Sequence, residues 1–136
     1  KYEYNLEKIK TELNIDNDFI EWLIKPHRCY YHEIMLLINN SVSINGLVHI
    51  TGGGFIDNVP RVVPNDLKID YSCNLINTNF KKLQSIMNID DSEMYRTFNC
   101  GIGMIIIINK DNLELLESLY KENNIDYNII GKIVKK

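Results

Sequence analysis

The sequence predicts an α/β or α+β domain with helices over a sheet, read here as α+β with a mixed β-sheet covered by helices. Three observations predict it. Short runs rich in β-branched residues at 46–51, 67–71, 101–109 and 126–134 read as strands. Stretches with helical spacing of apolar residues lie between them. Acidic pairs three residues apart (Asp18 and Glu21, Asp90 and Glu93, Asp111 and Glu114) have the spacing of capping boxes at helix starts. A chain of 136 residues suffices for one core, so residues 1–136 are read as a single domain.

Taken in order, residues 1–24 are polar with sparse apolar positions, and a short helix over DNDFIEWLI ends before Pro26. Residues 29–39 place Tyr30, Ile34, Leu37 and Ile38 on one face of an amphipathic helix, with His27 and Arg28 at its N-terminus. Residues 46–51 form a buried strand that runs into Gly52, Gly53 and Gly54, and a short helix follows and ends by Pro60 or Pro64. After the strand at 67–71, Phe80, Leu83 and Met87 mark a helical face, and DDSEMYRTF is a further helix. The four isoleucines of GIGMIIIIN predict burial on both faces and hence a central strand. Leu115, Leu116 and Leu119 face the core from the next helix, and DYNIIGKIV closes the domain as a strand.

Composition narrows the function. Apolar and charged residues, at 45% and 24%, are ordinary for a globular domain. A net charge of −3 points to neither nucleic acid nor a membrane surface, and no apolar run reaches the length of a membrane span. The polar N-terminus carries no signal peptide, so a cytoplasmic location is expected. Cys29, Cys73 and Cys100 have no CxxC spacing and read as reduced thiols, and the histidines form no metal motif. The chain starts at Lys1 rather than Met, which leaves room for a larger parent protein.

The chain has no alanine and only three arginines among its 15 basic residues, so the scarce residues carry weight. Arg28, Arg61 and Arg96 each belong to one of three polar clusters: KPHRCYYHEI, GLVHITGGGFIDNVPRVVP and EMYRTFNCGIGM. The glycine run has two readings. A strand, glycines and a helix start can hold an anion on unpartnered N–H groups. The same glycines can serve a tight turn or a close crossing of two backbones. Neither GxGxxG nor GxxxxGK[ST] is present. His49 is either a satisfied core residue or a donor to a bound anion. Arg61 makes a surface ion pair or binds phosphate with its fork of donors. Arg96 and Asn99 end a helix before the central strand, where α/β ligand sites form.

Together these segments closely resemble the C-terminal domain of the aminoimidazole ribonucleotide synthetase (phosphoribosylformylglycinamidine cyclo-ligase) family. The family pattern G-x-x-H-I-T-G-G-G-x-x-[ED]-N-x-P-R-x-x-P is met by Gly46, His49–Gly54, Asp57, Asn58, Pro60, Arg61 and Pro64. E-M-Y-R-T-F-N-x-G-I-G-M is met from Glu93 to Met104, and a late I-G by Ile130 and Gly131. The chain departs where the usual T-P-T-R-x-Y reads KPHRCY, placing His27 at a common threonine. Cys100 stands at a common Met, and a usual Trp and Pro are missing from DYSCNLINTNFKKLQ.

The resemblance implies ATP-dependent closure of an imidazole ring. Formylglycinamidine ribonucleotide and ATP become aminoimidazole ribonucleotide, ADP and phosphate. It further implies that ATP and Mg²⁺ are bound mainly by an N-terminal half, through which the full protein dimerises and which this sequence lacks. This chain would then be the substrate-holding half, either the C-terminal part of a longer protein or one piece of a split one, and inactive alone. Its substrate- and phosphate-binding candidates are Thr51, Gly52, Gly53, Gly54, Asn58, Arg61, Arg28, Arg96 and Asn99, with His49 the candidate catalytic group and no metal ligand. Two alternatives remain: a superfamily relative with another phosphoryl-transfer substrate, and a non-catalytic paralogue acting as an anion-binding or assembly module.

Overall fold

The computed structural model describes residues 6–72 and 74–136; residues 1–5 and Cys73 lie outside it, as do the sequence readings that fall on them. The N-terminal segment holds a helix that the sparse apolar pattern did not signal, α1 (Leu6–Leu13). Its exposed face is tied by Lys10 to Glu7 at 2.6 Å, an i,i+3 pair with the acid nearer the N-terminus. α2 (Asn17–Ile24) starts at Asp16, not at the expected Asp18, because Asp16 accepts the Phe19 N–H at 2.8 Å. That places Phe19 in the core, stacked on Trp22, which meets Phe80 edge-on.

Residues 25–30 are irregular, and α3 (Tyr31–Asn39) begins later than expected. His27 and Arg28 therefore precede the helix and are not its first turn. Leu37 of α3 is fully buried, whereas Ile38 is 51% exposed, so the predicted apolar face is narrower than its spacing suggested.

β1 (Ile44–His49) pairs antiparallel with β3 (Met104–Ile108), and β2 (Leu67–Tyr71) pairs antiparallel with β4 (Gly131–Lys135). The α+β class holds, but the described strands form two antiparallel ladders, not one mixed sheet. The isoleucines of β3 are covered on both faces, as their run predicts. Ile105 and Ile107 join a core with Val48, Ile50, Phe55, Met94 and Cys100. Ile106 and Ile108 pack against Leu37, Leu116 and Tyr120. Burial on both faces does not make β3 central, since β1 is its one partner among the described residues. Helices supply the second cover, which a second neighbouring strand would not.

α4 (Gly54–Asn58) continues as a 3₁₀ turn over Val59–Arg61, and α5 (Thr78–Met87) starts at Asn77. α6 (Asp91–Thr97) starts at Asp90, as the capping spacing predicts, with Asp90 accepting the Glu93 N–H at 2.9 Å. α7 (Leu113–Glu122) follows a 3₁₀ turn and has no side-chain cap, so Asp111 does not serve as one. Of its leucines, Leu116 is buried and Leu119 packs beside it, but Leu115 is 42% exposed. Among the described residues, no helix is long and apolar enough to cross a membrane. Cys29 is a free, exposed thiol, and Cys100 is free and buried. Burial, then the nearby Asp91 charge, pushes the Cys100 thiol up to about 11, so it stays protonated and inert.

The two helix caps make stability depend on acid. The Ser92 hydroxyl, then the Glu93 N–H, hold the Asp90 carboxyl below its ordinary value of 3.8. The Phe19 N–H, then Lys82, do the same for Asp16. A depressed folded value contributes stability above the unfolded value, and that contribution is lost as pH falls through the folded one. The urea midpoint is expected to drop on acidification below 3.8, and to drop less in Asp90→Asn, whose amide oxygen caps at any pH. Equal acid sensitivity in the two proteins would count against this assignment.

Candidate functional site

The three glycines after β1 do three different things. The chain turns at Thr51, whose carbonyl accepts the Gly54 N–H at 3.0 Å. Gly53 has φ +90° and Gly54 φ +54°, a left-handed backbone that side chains disfavour. A Cβ on Gly53 would also meet the Asp57 carboxylate at 2.6 Å. A Cβ on Gly54 would lie 2.1 Å from the Tyr95 carbonyl oxygen, because the end of α6 crosses directly over this glycine. Gly52 is exposed, and a Cβ there would meet nothing within 4 Å. Backbone crossing accounts for Gly54 and turn geometry for Gly53. Gly52 is left as the open face of the turn.

Asn58 holds this turn from beneath. It is 4% exposed, and its amide group donates to the carbonyls of Gly54 at 2.7 Å, Gly52 at 3.2 Å and Thr51 at 3.4 Å. With the Thr51 and Gly52 carbonyls drawn to Asn58, trans peptide geometry turns the N–H groups of Gly52 and Gly53 the other way, while that of Gly54 is bonded within the turn. The Asn58 amide is committed to these carbonyls, so the side chain shapes the turn and does not face outward from it.

A second group forms where β1 ends and β3 begins. The rings of His27 and His49 lie 4.9 Å apart, edge to face, and Tyr30 lies 6.0 Å from His27 and 6.3 Å from His49. Asn99 contacts His27, Nδ2 to Nε2, at 3.5 Å. Gly103 permits this closeness: a Cβ there would lie 2.2 Å from the Tyr30 hydroxyl and 2.9 Å from His27 Cε1. His49 is exposed at its strand end, so it is not the satisfied core histidine that one reading allowed. Residues from all three polar clusters thus meet here.

Arg28 lies over the Tyr30 ring at 5.7 Å and is paired with Glu33, to which both Nε and Nη2 donate on one oxygen. The Glu33 side chain is 12% exposed against 53% for Arg28, so the acid is the anchored partner. Burial raises the Glu33 carboxyl, but its own backbone N–H, then the Arg28 hydrogen bond and charge, outweigh burial and leave it below the ordinary range. Arg96, in the last turn of α6, has its backbone against Gly54, while its side chain is exposed. Arg61 is exposed, and among the described residues no ion pair or hydrogen bond joins it to either group.

Two participants escaped sequence reasoning. Tyr30 was assigned to a core face, yet its half-buried hydroxyl faces Gly103, and burial raises its ionisation above 10.0. Its place in KPHRCY beside Arg28 was the available signal. Glu33 carried none. Among the described residues, no three His, Cys, Asp or Glu side chains gather to hold a metal. An apolar groove of about 500 Å³ between α4, α6 and the β2–β4 ladder, lined by Phe55, Val63, Ile69, Tyr71 and Tyr95, contains none of the predicted site residues.

The described residues thus form an α+β domain with exposed polar groups gathered at strand ends beside a glycine turn. Residues 7–136 match the family described as AIR synthase related protein, C-terminal domain, and the chain belongs to that family. It is 37% identical over 132 residues to the phosphoribosylformylglycinamidine cyclo-ligase of Caldicellulosiruptor saccharolyticus, covering 96% of this chain and 38% of that protein. The cyclo-ligase of the same name from Syntrophus aciditrophicus is 40% identical over 141 residues, covering 93% of this chain and 39% of that protein. The one from Ligilactobacillus salivarius is 36% identical over 118 residues, covering 85% and 34%. The chain thus spans less than two-fifths of the length of these relatives.

Proposed function

We propose that this chain is the C-terminal, substrate-holding half of a phosphoribosylformylglycinamidine cyclo-ligase, acting in purine biosynthesis in the cytoplasm. The observation that carries the reading is the meeting of His27, Tyr30, His49 and Asn99 from three separate segments, beside a glycine turn with an open face. The names of the relatives supply the substrate and the ring closure, and the resemblance to the aminoimidazole ribonucleotide synthetase family implies the route that follows. ATP transfers a phosphoryl group to the formyl amide oxygen of formylglycinamidine ribonucleotide. The amidine nitrogen then attacks that carbon, closing the ring and expelling phosphate.

This chain's part is to hold a phosphate-bearing ligand. Gly52 lets an oxyanion reach the backbone, with the outward N–H groups of the turn as donors and Thr51 exposed beside it. Arg28 is held by Glu33 with half its surface free, and Arg96 and Arg61 add exposed positive charge. His49, at the strand end, is positioned to donate to the ligand or move its proton. Among the described residues no three His, Cys, Asp or Glu side chains gather to hold a metal, and Mg²⁺ is assigned to the other half. The metal, most of the ATP contacts and the homodimer contact belong to the N-terminal half of the longer protein.

Titration with inorganic phosphate, AMP and the substrate ribonucleotide tests this. Millimolar binding is expected, weakened roughly tenfold in Gly52→Asp, which adds charge at a position with steric room, and severalfold in Arg61→Ala. Binding unchanged in both variants would favour an assembly module, and turnover of ATP by this chain alone would refute its role as a half-site.

A further inference from the structure

We propose that His27 is a positioning residue that locks His49 and Asn99 into one arrangement through a single imidazole tautomer. The inference rests on the site reading above. Three bonds form a chain. The Asn99 carbonyl oxygen accepts the Gly101 N–H at 2.9 Å, which fixes the amide orientation and turns its NH₂ toward His27. His27 Nε2, 3.5 Å from that NH₂, must then be the acceptor. His27 Nδ1 lies 3.1 Å from the Arg28 carbonyl oxygen, which can only accept, so Nδ1 carries the proton. The contacts at the two ring nitrogens call for the same tautomer.

The ring is itself exposed but has two close neighbours. Its Cε1 faces Gly103, where no Cβ intervenes, and its plane stands at 86° to the ring of His49. His49 has the His27 ring against one side, and Asn99 gains in His27 a second partner for the amide orientation that Gly101 sets. The threonine common at this position in the resembled family has neither a ring to set against His49 nor a second nitrogen to span from the Arg28 carbonyl to Asn99. The two segments that His27 joins would there be held by other means. In this chain a side chain from before α3 ties the end of β1 to the α6–β3 turn.

Imidazole ¹⁵N shifts of the free chain read the tautomer directly. The expected result is an Nδ1–H form at His27, the minority form of a free imidazole, with an unprotonated Nε2. An Nε2–H form or rapid averaging would overturn the proposal whether or not an anion binds. In His27→Thr, the His49 ring signals and the Gly101 amide are expected to move, and inorganic phosphate to bind roughly fivefold more weakly, the worth of about one hydrogen bond. His27→Gln, which can donate to the Arg28 carbonyl and accept from Asn99, is expected to restore the affinity. Loss in both variants with unchanged thermal stability, or no loss in either, would refute positioning by these two bonds. Failure of the wild-type chain to bind phosphate, with the Nδ1–H form present, would overturn the site reading itself and with it the role of His27 there.

Discussion

Gly54→Ala is expected to cost on the order of 3–5 kcal/mol of stability, while Gly52→Ala two residues earlier changes it by less than about 0.5 kcal/mol. Two causes add at Gly54. Its φ of +54° is unfavourable for alanine, and the new methyl group would lie 2.1 Å from the Tyr95 carbonyl oxygen, a backbone atom fixed in α6. Relief requires α6 to move off α4, opening the core around Met94 and Phe55. Gly52 has neither problem, since nothing lies within 4 Å of the added carbon. Urea unfolding of the two variants separates the causes of the glycine run. Equal midpoints would mean that the crossing does not need a bare backbone.

Asn58→Asp is the second large effect. The side chain is nearly isosteric, but a carboxylate cannot donate, and three carbonyl oxygens face it in a site 4% exposed. The loss of the donor, repulsion by the carbonyls and a buried unpaired charge together cost roughly 3–5 kcal/mol at neutral pH. Asn58→Ala, which leaves carbonyls unpaired without adding charge, is expected to cost about 1–3 kcal/mol. The pH dependence gives the sign. Burial among carbonyls raises the introduced carboxyl's folded value above its unfolded one. The penalty therefore shrinks as pH falls and the protonated acid becomes a donor. Asp less harmful than Ala at neutral pH, or a penalty that grows with acid, would show that the amide does not hold the turn.

These two residues show where sequence reading reaches its limit. HITGGG and DNVPR marked the turn and its neighbours, but the alternatives were an anion cradle and a backbone crossing. Both physical demands fall on the same three letters, and their division among Gly52, Gly53 and Gly54 depends on where α6 passes. Asn58 stood in the motif as a ligand-binding candidate, and only the fold of the turn shows its donors directed at the chain's own carbonyls. Arg28 was visible, whereas its partner Glu33, five residues on, was not, because the bend before α3 that joins them has no periodic signature.

The fold was legible where local chemistry suffices. Asp90 capped α6 as its spacing predicted, since the bond spans three residues. Asp16 displaced Asp18 because both acids suit a cap, and the choice followed the burial of Phe19. The isoleucine run predicted two covered faces and was right, because apolar area must leave water whatever covers it. It could not say what covers them: α3 and α7 on one side, α4 and α6 on the other. By itself the sequence determined the class, most of the elements, the family motifs and the three polar clusters, all of which rest on neighbours in the chain. Tertiary structure alone decided the pairing of the ladders, the crossing over Gly54 and the meeting of His27, His49 and Asn99. Those contacts join residues tens of positions apart, and their geometry is set by packing, on which local spacing has no hold.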